Sequence, residues 1–312
     1  MKDTCTLSPT TSDAGPDQTI NSNTTTLNAN TPIAGTGSWS IIIGIDGIVS
    51  QPNNANSSFS GIPGGTYFLT WTISTGCAIS VDTLVISLSN QNPGIPCPGI
   101  PSFTYGGQTY NTVQIGNQCQ MRENLNIGTM VTSIGTSTAH SDCSNNGIIE
   151  KYCYNNDTAI CSIYGGLYDW DEMMGYTSTV GGQGICPTGW HLPTDAEWCT
   201  LTIYLDATVN CTNFGWSGTN VAGKLKETGF SHWSSPNTGA SNESGFAALG
   251  AGYRYSSGGS FQQITWLASF WSSSEATSIK GITRWLDFNY SDIERYSMNK
   301  KSGCSVRCVK DD

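Results

Sequence analysis

With 312 residues the chain is long enough for two ordinary domains, each burying its own core. Charged residues make up only 12% of it and the formal net charge is -10. No run of Lys and Arg occurs, which excludes the clustered phosphate contacts that nucleic acid needs. Twelve cysteines argue against the cytosol, where thiols stay reduced, so an exported, extracellular or cell-surface protein is expected. Residues 1–20 lack the apolar core of a signal peptide, and the longest aliphatic run, Ile41 to Ile45, is too short to span a bilayer. The expectation is a mature fragment or an excised piece with Met1 added for expression, any anchor lying outside it.

Residues 1–90 read as short strands between turns: TTTLNAN, GSWSIII, ANSSFSGI, GTYFLTWTIS and SVDTLVISLS. Within Thr66 to Ser74 the residues Tyr67, Leu69, Trp71 and Ile73 alternate with Phe68, Thr70 and Thr72, the period of a strand with one face in a core. Lys2 is the only basic residue before Arg122, which suits a spacer. Through AGPDQT and GGTYFLTWTIS the segment resembles immunoglobulin-like or PKD-like spacer domains of bacterial surface proteins, which implies an all-β Ig-like sandwich. Residues 91–101 carry Pro93, Pro96, Pro98 and Pro101 and read as a stiff linker.

The second domain, residues 102–312, has its clearest helix start at Pro193 and Thr194. Thr194 and Glu197 stand at the capping-box spacing, and Trp198, Leu201 and Leu205 then share one face. A short helix is predicted at Asp169 to Met174 and strands at Thr283 to Phe288 and Ser305 to Val309. Residues 206–300 otherwise read as loop-rich.

A series of motifs stands in order from residue 97 to the end: YNTVQIGNQCQMRENLN, IIEKYCYNNDTAIC, YGGLYDWDEMM, GICPTGWHLPTDAEW, SGFAALGAGYR, FWSSSE and SVRCVKD. Together they resemble the Fibrobacter succinogenes major paralogous domain, with one departure at Gln120, where that family usually places a tryptophan. The resemblance implies an α+β C-type lectin-like fold akin to the formylglycine-generating enzymes, two helices flanking a twisted antiparallel sheet, and a disulfide-rich frame. It pairs Cys186 with Cys308 across the module's ends, Cys153 with Cys161 and Cys199 with Cys211 within local loops, and Cys97 with Cys119 at the entry strand. Left over are Cys5 with Cys77 in the first domain, and Cys143 with Cys304.

Catalytic chemistry has little support in the sequence. His140, His191 and His232 lie in neither HExxH nor a GxSxG elbow, and His191 reads as a structural ring at a helix entrance. Cys304 and Cys308 in CSVRC are the only local candidates for an oxidase of the formylglycine-generating type, and Cys308 matches a structural cysteine of the resembled family. No enzyme and no cofactor are therefore expected. A Cys186–His191 zinc pair yields to disulfide formation, and calcium is weighed because Asp287, Asn289, Ser291, Asp292 and Glu294 are oxygen donors of its kind. The EF-hand glycine and closing glutamate are missing, however, as are the EPN and QPD motifs of sugar-binding lectins.

Rigid rings mixed with Ser, Gly and Asn late in the chain form the palette of contact loops. Tyr253, Tyr255, Trp266, Asn289, Tyr290, Arg295 and Tyr296 are the predicted ligand-binding residues, while Trp271 and Trp285 are assigned to the core. The expected function is non-catalytic binding or adhesion toward a glycan or protein at the cell exterior, with no membrane span. The alternative is self-assembly as a subunit of an extracellular fibre or surface layer.

Overall fold

A computed structural model describes residues 7–20, 24–44, 46–61, 65–88 and 94–311. The chain is mostly β with few helices and divides into two compact units, Met1–Gln91 and Asn92–Asp312.

In the first unit, Tyr67, Leu69, Trp71 and Ile73 of strand Thr66–Ser74 are buried, while Phe68, Thr70 and Thr72 between them are half-buried, as period-two alternation requires. This strand lies between Ile79–Leu88 and Thr36–Ile43, and Gln18–Ile20 adds in parallel beyond Ile79–Leu88. A second sheet of Thr24–Thr26, Ser58–Ser60 and Ile48–Val49 sends Phe59 into the same core. Gly37 is required where it stands, because a Cβ there would lie 2.1 Å from the Trp71 ring. The N-terminal segment is tied to the last strand by Ser12 N–H on Ser80 Oγ (2.9 Å) and Ala14 N–H on Asp82 Oδ2 (2.8 Å). The expected Cys5–Cys77 bridge involves Cys5, which lies outside the described residues; Cys77 itself is disulfide-bonded.

The second unit is built on two larger sheets. One runs Trp190–His191, Val309–Lys310, Gln118–Met121, Gln108–Ile115 and Ser102–Tyr105; the other runs Gly215–Ser217, Ile293–Asn299, Lys280–Asp287 and Leu267–Thr277. From Ile95 to Pro101 the proline-rich segment lies along Gln108–Ile115, held by Gln114 N–H on Ile95 O (2.7 Å), Cys97 N–H on Thr112 Oγ1 (3.0 Å) and the Cys97–Cys119 bridge. Helix Asp195–Leu205 begins in the expected capping box, with Thr194 Oγ1 accepting from Glu197 N–H and the Glu197 carboxylate accepting from Thr194 N–H. Trp198 and Leu201 of this helix are buried. The predicted helix near 169–174 forms as Trp170–Met173, with the Asp169 side chain capping it.

Two secondary-structure expectations for this unit need correction. Residues 267–299 are not loop-rich, because three long strands cross there. The first seven residues of Leu267–Thr277 are buried on both faces, so no alternation marks the strand in the sequence. Ser305 to Val309 does not form the predicted regular strand: only Val309–Lys310 is one. Before it, single pairings alternate with side-chain contacts, chief among them Arg307, which is 1% exposed. Its guanidinium donates to Asn124 Oδ1 (2.8 Å), Phe246 O and Ala247 O (3.2 Å) and lies 4.1 Å from the Phe246 ring centroid.

Disulfides Cys97–Cys119, Cys153–Cys161, Cys186–Cys308 and Cys199–Cys211 are present, as the resemblance implies. The expected Cys143–Cys304 bridge is not, and both residues are free thiols. Their surroundings explain this. Cys304 Sγ is buried against Ser269 Oγ (3.1 Å) and Met298 Sδ (3.5 Å), whereas the Cys143 thiol faces Tyr152 and the carboxylates of Asp169, Glu172 and Glu150.

His191 joins the helix start to the last strand. Its ring nitrogens meet Glu197 Oε1 at 2.8 Å and Asp311 Oδ1 at 2.7 Å, an arrangement that calls for both N–H groups and hence the imidazolium. The Glu197 hydrogen bond, less the cost of burial and helped by Asp311, pushes its pKa up to about 9. A pKa raised from the ordinary value of about 6.5 gives stability that is fully present below that pH and is lost as pH rises through about 9. Because Asp311 is 51% exposed and screened, His191→Gln should cost only about 1–2 kcal/mol at pH 6, and the deficit should fade by pH 10. Urea unfolding of both proteins at the two pH values checks this.

Candidate functional site

The strands Lys280–Asp287 and Ile293–Asn299 pair with Thr283 opposite Tyr296 and Trp285 opposite Glu294. Trp285 and Tyr296 are thus diagonal neighbours, and their ring centroids lie 4.4 Å apart. Tyr253, on the two-residue strand Tyr253–Arg254, stacks on the other side of Trp285 at 5.7 Å with an interplanar angle of 24°. The three rings form a row. Trp285 Nε1 is buried without a hydrogen-bond partner, so ring contacts, not a polar anchor, hold the indole.

This row lines a cleft of about 390 Å³. Tyr255, Ser256 and Ser257 form one wall; Ser297, Met298, Asn299 and Ser302 contribute another, and Ala139 and Lys280 complete the lining. Burial pushes the Tyr253 phenol pKa up, so its hydroxyl stays a donor at neutral pH. Arg254, adjacent to Tyr253, braces the walls from beneath. Its fully buried guanidinium donates to Ser133 Oγ (2.7 Å), Lys301 O (3.0 Å) and Asp142 Oδ2 (2.7 Å) and lies 4.3 Å from the Tyr152 ring centroid. Its backbone exchanges hydrogen bonds of 2.8 and 3.0 Å with Gly303.

The predicted binding residues divide between surroundings. Tyr253, Tyr255 and Tyr296 come together in the cleft, but the other four are not among its lining residues. Trp266 packs on Phe288 at 5.2 Å, and Tyr290 on Trp216 at 4.9 Å. Asn289 is exposed, and its N–H donates to Asp287 Oδ1 (2.7 Å). Arg295 is engaged structurally: with Arg284 it clamps Asp195 at 2.7 Å, and it lies 4.2 Å from the Phe214 ring centroid. Burial raises the Asp195 pKa, but the two arginines outweigh it and hold the carboxyl below its usual range.

Trp271, 1% exposed, is a core residue as assigned, whereas Trp285 is half-buried: it packs against the core and also lines the cleft. Ile282 and Leu286 point inward and so place Trp285 on the opposite face; the buried Arg284 between them masks that alternation in the sequence. Lys280, Asn299 and Ser302 carry no local signal; Lys280 and Asn299 are a register pair at the ends of their strands, and Ser302 follows in the turn beyond.

Two of the calcium candidates, Asp287 and Ser291, make other contacts. The carbonyls of Asp287 and Tyr290, with that of Thr238, each accept from Lys226 Nζ at 2.9 Å, and Ser291 Oγ donates to Thr219 O (2.8 Å). Among the described residues the only cluster of His, Cys, Asp and Glu side chains close enough to share a metal is Cys143, Glu150 and Glu172. Its carboxylates already accept hydrogen bonds: Glu172 from Glu150 N–H (3.0 Å) and Tyr176 Oη (2.9 Å), Glu150 from Ser144 N–H (2.7 Å). Burial, then the charge of Asp169, pushes the Cys143 thiol up, which disfavours a thiolate ligand.

Fold and site together define a disulfide-braced, mostly β module with a shallow aromatic cleft. The chain belongs to the Fibrobacter succinogenes major domain family, which its residues 113–310 match. Among solved structures, the solution structure of the PKD domain from KIAA 1837 protein is similar to part of the chain, with 22% identity, 27% of this chain and 90% of that chain covered, and a TM-score of 0.24. No curated protein matches the chain. Among the described residues no helix is long and apolar enough to cross a membrane.

Proposed function

We propose that the chain is a non-catalytic binding module of the cell exterior, whose second unit has a C-type lectin-like fold and takes a glycan or protein segment in the Tyr253–Trp285–Tyr296 cleft. The row of rings carries the reading, since it offers flat contact area at low side-chain entropy cost. The bracing by Arg254 reduces the ordering that binding must supply. Membership of the family supports a surface or adhesion-type role. Two observations favour binding over chemistry. The cleft lining holds no carboxylate or imidazole to act as acid or base, and Cys308 is bonded to Cys186, so the Cys304–Cys308 thiol pair of an oxidase is not available. A combined glycan and peptide array probed with the oxidised protein should give discrete hits that Tyr296→Ala weakens; hits indifferent to that substitution would count against the cleft.

A second reading, assembly into a fibre or layer, draws on Ile42 and Ile43, which are 59% and 57% exposed on the edge strand Thr36–Ile43. Sedimentation of a strict monomer at high concentration would remove it.

A further inference from the structure

Resting on the binding reading above, we infer that the cleft is built for an anionic saccharide: a sugar ring over the aromatic row, with its carboxylate or sulfate on Lys280. The cleft lining holds no Asp or Glu, on an acidic protein. Lys280 is the only Lys, Arg, Asp or Glu in its lining, on a chain whose formal net charge is -10. Lys280 is exposed, and its ammonium has no hydrogen-bond or ion-pair partner. Among the described residues this is true of only one other cation, Lys301, which precedes the lining residue Ser302. Elsewhere lysines and arginines are engaged: Lys300 with Glu275, Lys224 with Glu243, Arg254 with Asp142, Lys151 with Asn126, and Lys226 with carbonyls. In the cleft lining Lys280 is therefore the cation left for an anionic ligand to pair.

The remaining lining suits a sugar better than a folded protein. Ser256, Ser257, Ser297 and Ser302 with Asn299 supply short hydroxyl and amide groups around the rings, a match for a polyol's alternating donors and acceptors. The volume of about 390 Å³ falls in the roughly 300–1,000 Å³ range of small-ligand sites, so it admits a chain end or short stretch of polymer. A stable protein partner would need roughly 800 Å² of surface instead.

The test titrates the oxidised full chain, followed by tryptophan fluorescence, with an oligogalacturonate, its methyl ester and a sulfated oligosaccharide. At least one anionic oligosaccharide should bind about tenfold or more tightly than the neutral ester, and added salt should weaken it. Lys280→Gln, a change at an exposed position, should remove that preference, bringing the acid to the affinity of the ester. Tyr296→Ala should weaken every saccharide. Whether the carboxylated or sulfated arm binds better identifies the anionic group. Equal binding of acid and ester, or a preference that survives Lys280→Gln, overturns the inference but leaves the cleft as a binding site. So does a peptide ligand lost with Tyr296→Ala when no saccharide binds. If no ligand of any class responds to Tyr296→Ala, the binding reading itself fails.

Discussion

Replacing Cys186 and Cys308 together by alanine should lower the unfolding free energy of the second unit by about 4–5 kcal/mol. The bridge spans 122 residues, and closing a loop of that length in the unfolded chain accounts for an effect of this size in the chain-entropy account. Both sulfurs are fully buried with Met121, Trp190 and Leu192 in one apolar cluster, so the double variant also loses close packing there. In a unit of this size the loss should appear as a fall in Tm of roughly 10–20 °C. The matching change at Cys199 and Cys211, a separation of 12 residues, should cost only about 3 kcal/mol. Thermal and urea unfolding of both variants checks the ordering; the shorter loop proving the costlier would contradict it.

Lys226→Met should destabilise the protein by about 3–5 kcal/mol although it keeps the length of the side chain. The ammonium is 0% exposed and donates to the carbonyls of Thr238, Asp287 and Tyr290, all at 2.9 Å. Burial pushes its pKa down to about 8 against the pull of Asp287 and Asp292, so at neutral pH it retains three N–H groups for three acceptors. Methionine leaves those acceptors without this donor, at about 1–3 kcal/mol for each buried group that finds no other. Lys226 is thus an internal cation that draws the 287–290 turn and the Thr238 segment onto the end of helix Val221–Leu225. Unfolding of the variant with no measurable loss would show that the three carbonyls find other donors.

These two sites mark where sequence reasoning reaches and where it stops. The Cys186–Cys308 bridge is legible because both cysteines sit inside recognisable motifs. The Thr194 capping box and the alternation of Thr66–Ser74 are legible because each depends on local periodicity alone. Cys143 with Cys304 is the opposite case: pairing the two cysteines left over ignores geometry, and one thiol lies in a core beside Met298 while the other faces carboxylates. Lys226 and Arg307 are buried through contacts with residues distant in the chain, which a hydropathy pattern scores as surface.

The site follows the same division. Amphipathic rings in a Ser- and Gly-rich context flagged Tyr253, Tyr255 and Tyr296, but composition equally flagged Trp266, Tyr290 and Arg295, which pair with Phe288, Trp216 and Asp195 instead. What separates the two groups is the register of Lys280–Asp287 against Ile293–Asn299, which sets Trp285 between Tyr253 and Tyr296.

The most direct measurement compares Tyr296→Ala with Tyr290→Ala, both at exposed positions, by affinity for the strongest array ligand of the unmodified protein. Removing the Tyr296 ring from the cleft should weaken binding by about tenfold, while Tyr290→Ala should leave it within about twofold. Loss with Tyr290→Ala and retention with Tyr296→Ala would move the binding surface to the Trp216 side and contradict the cleft.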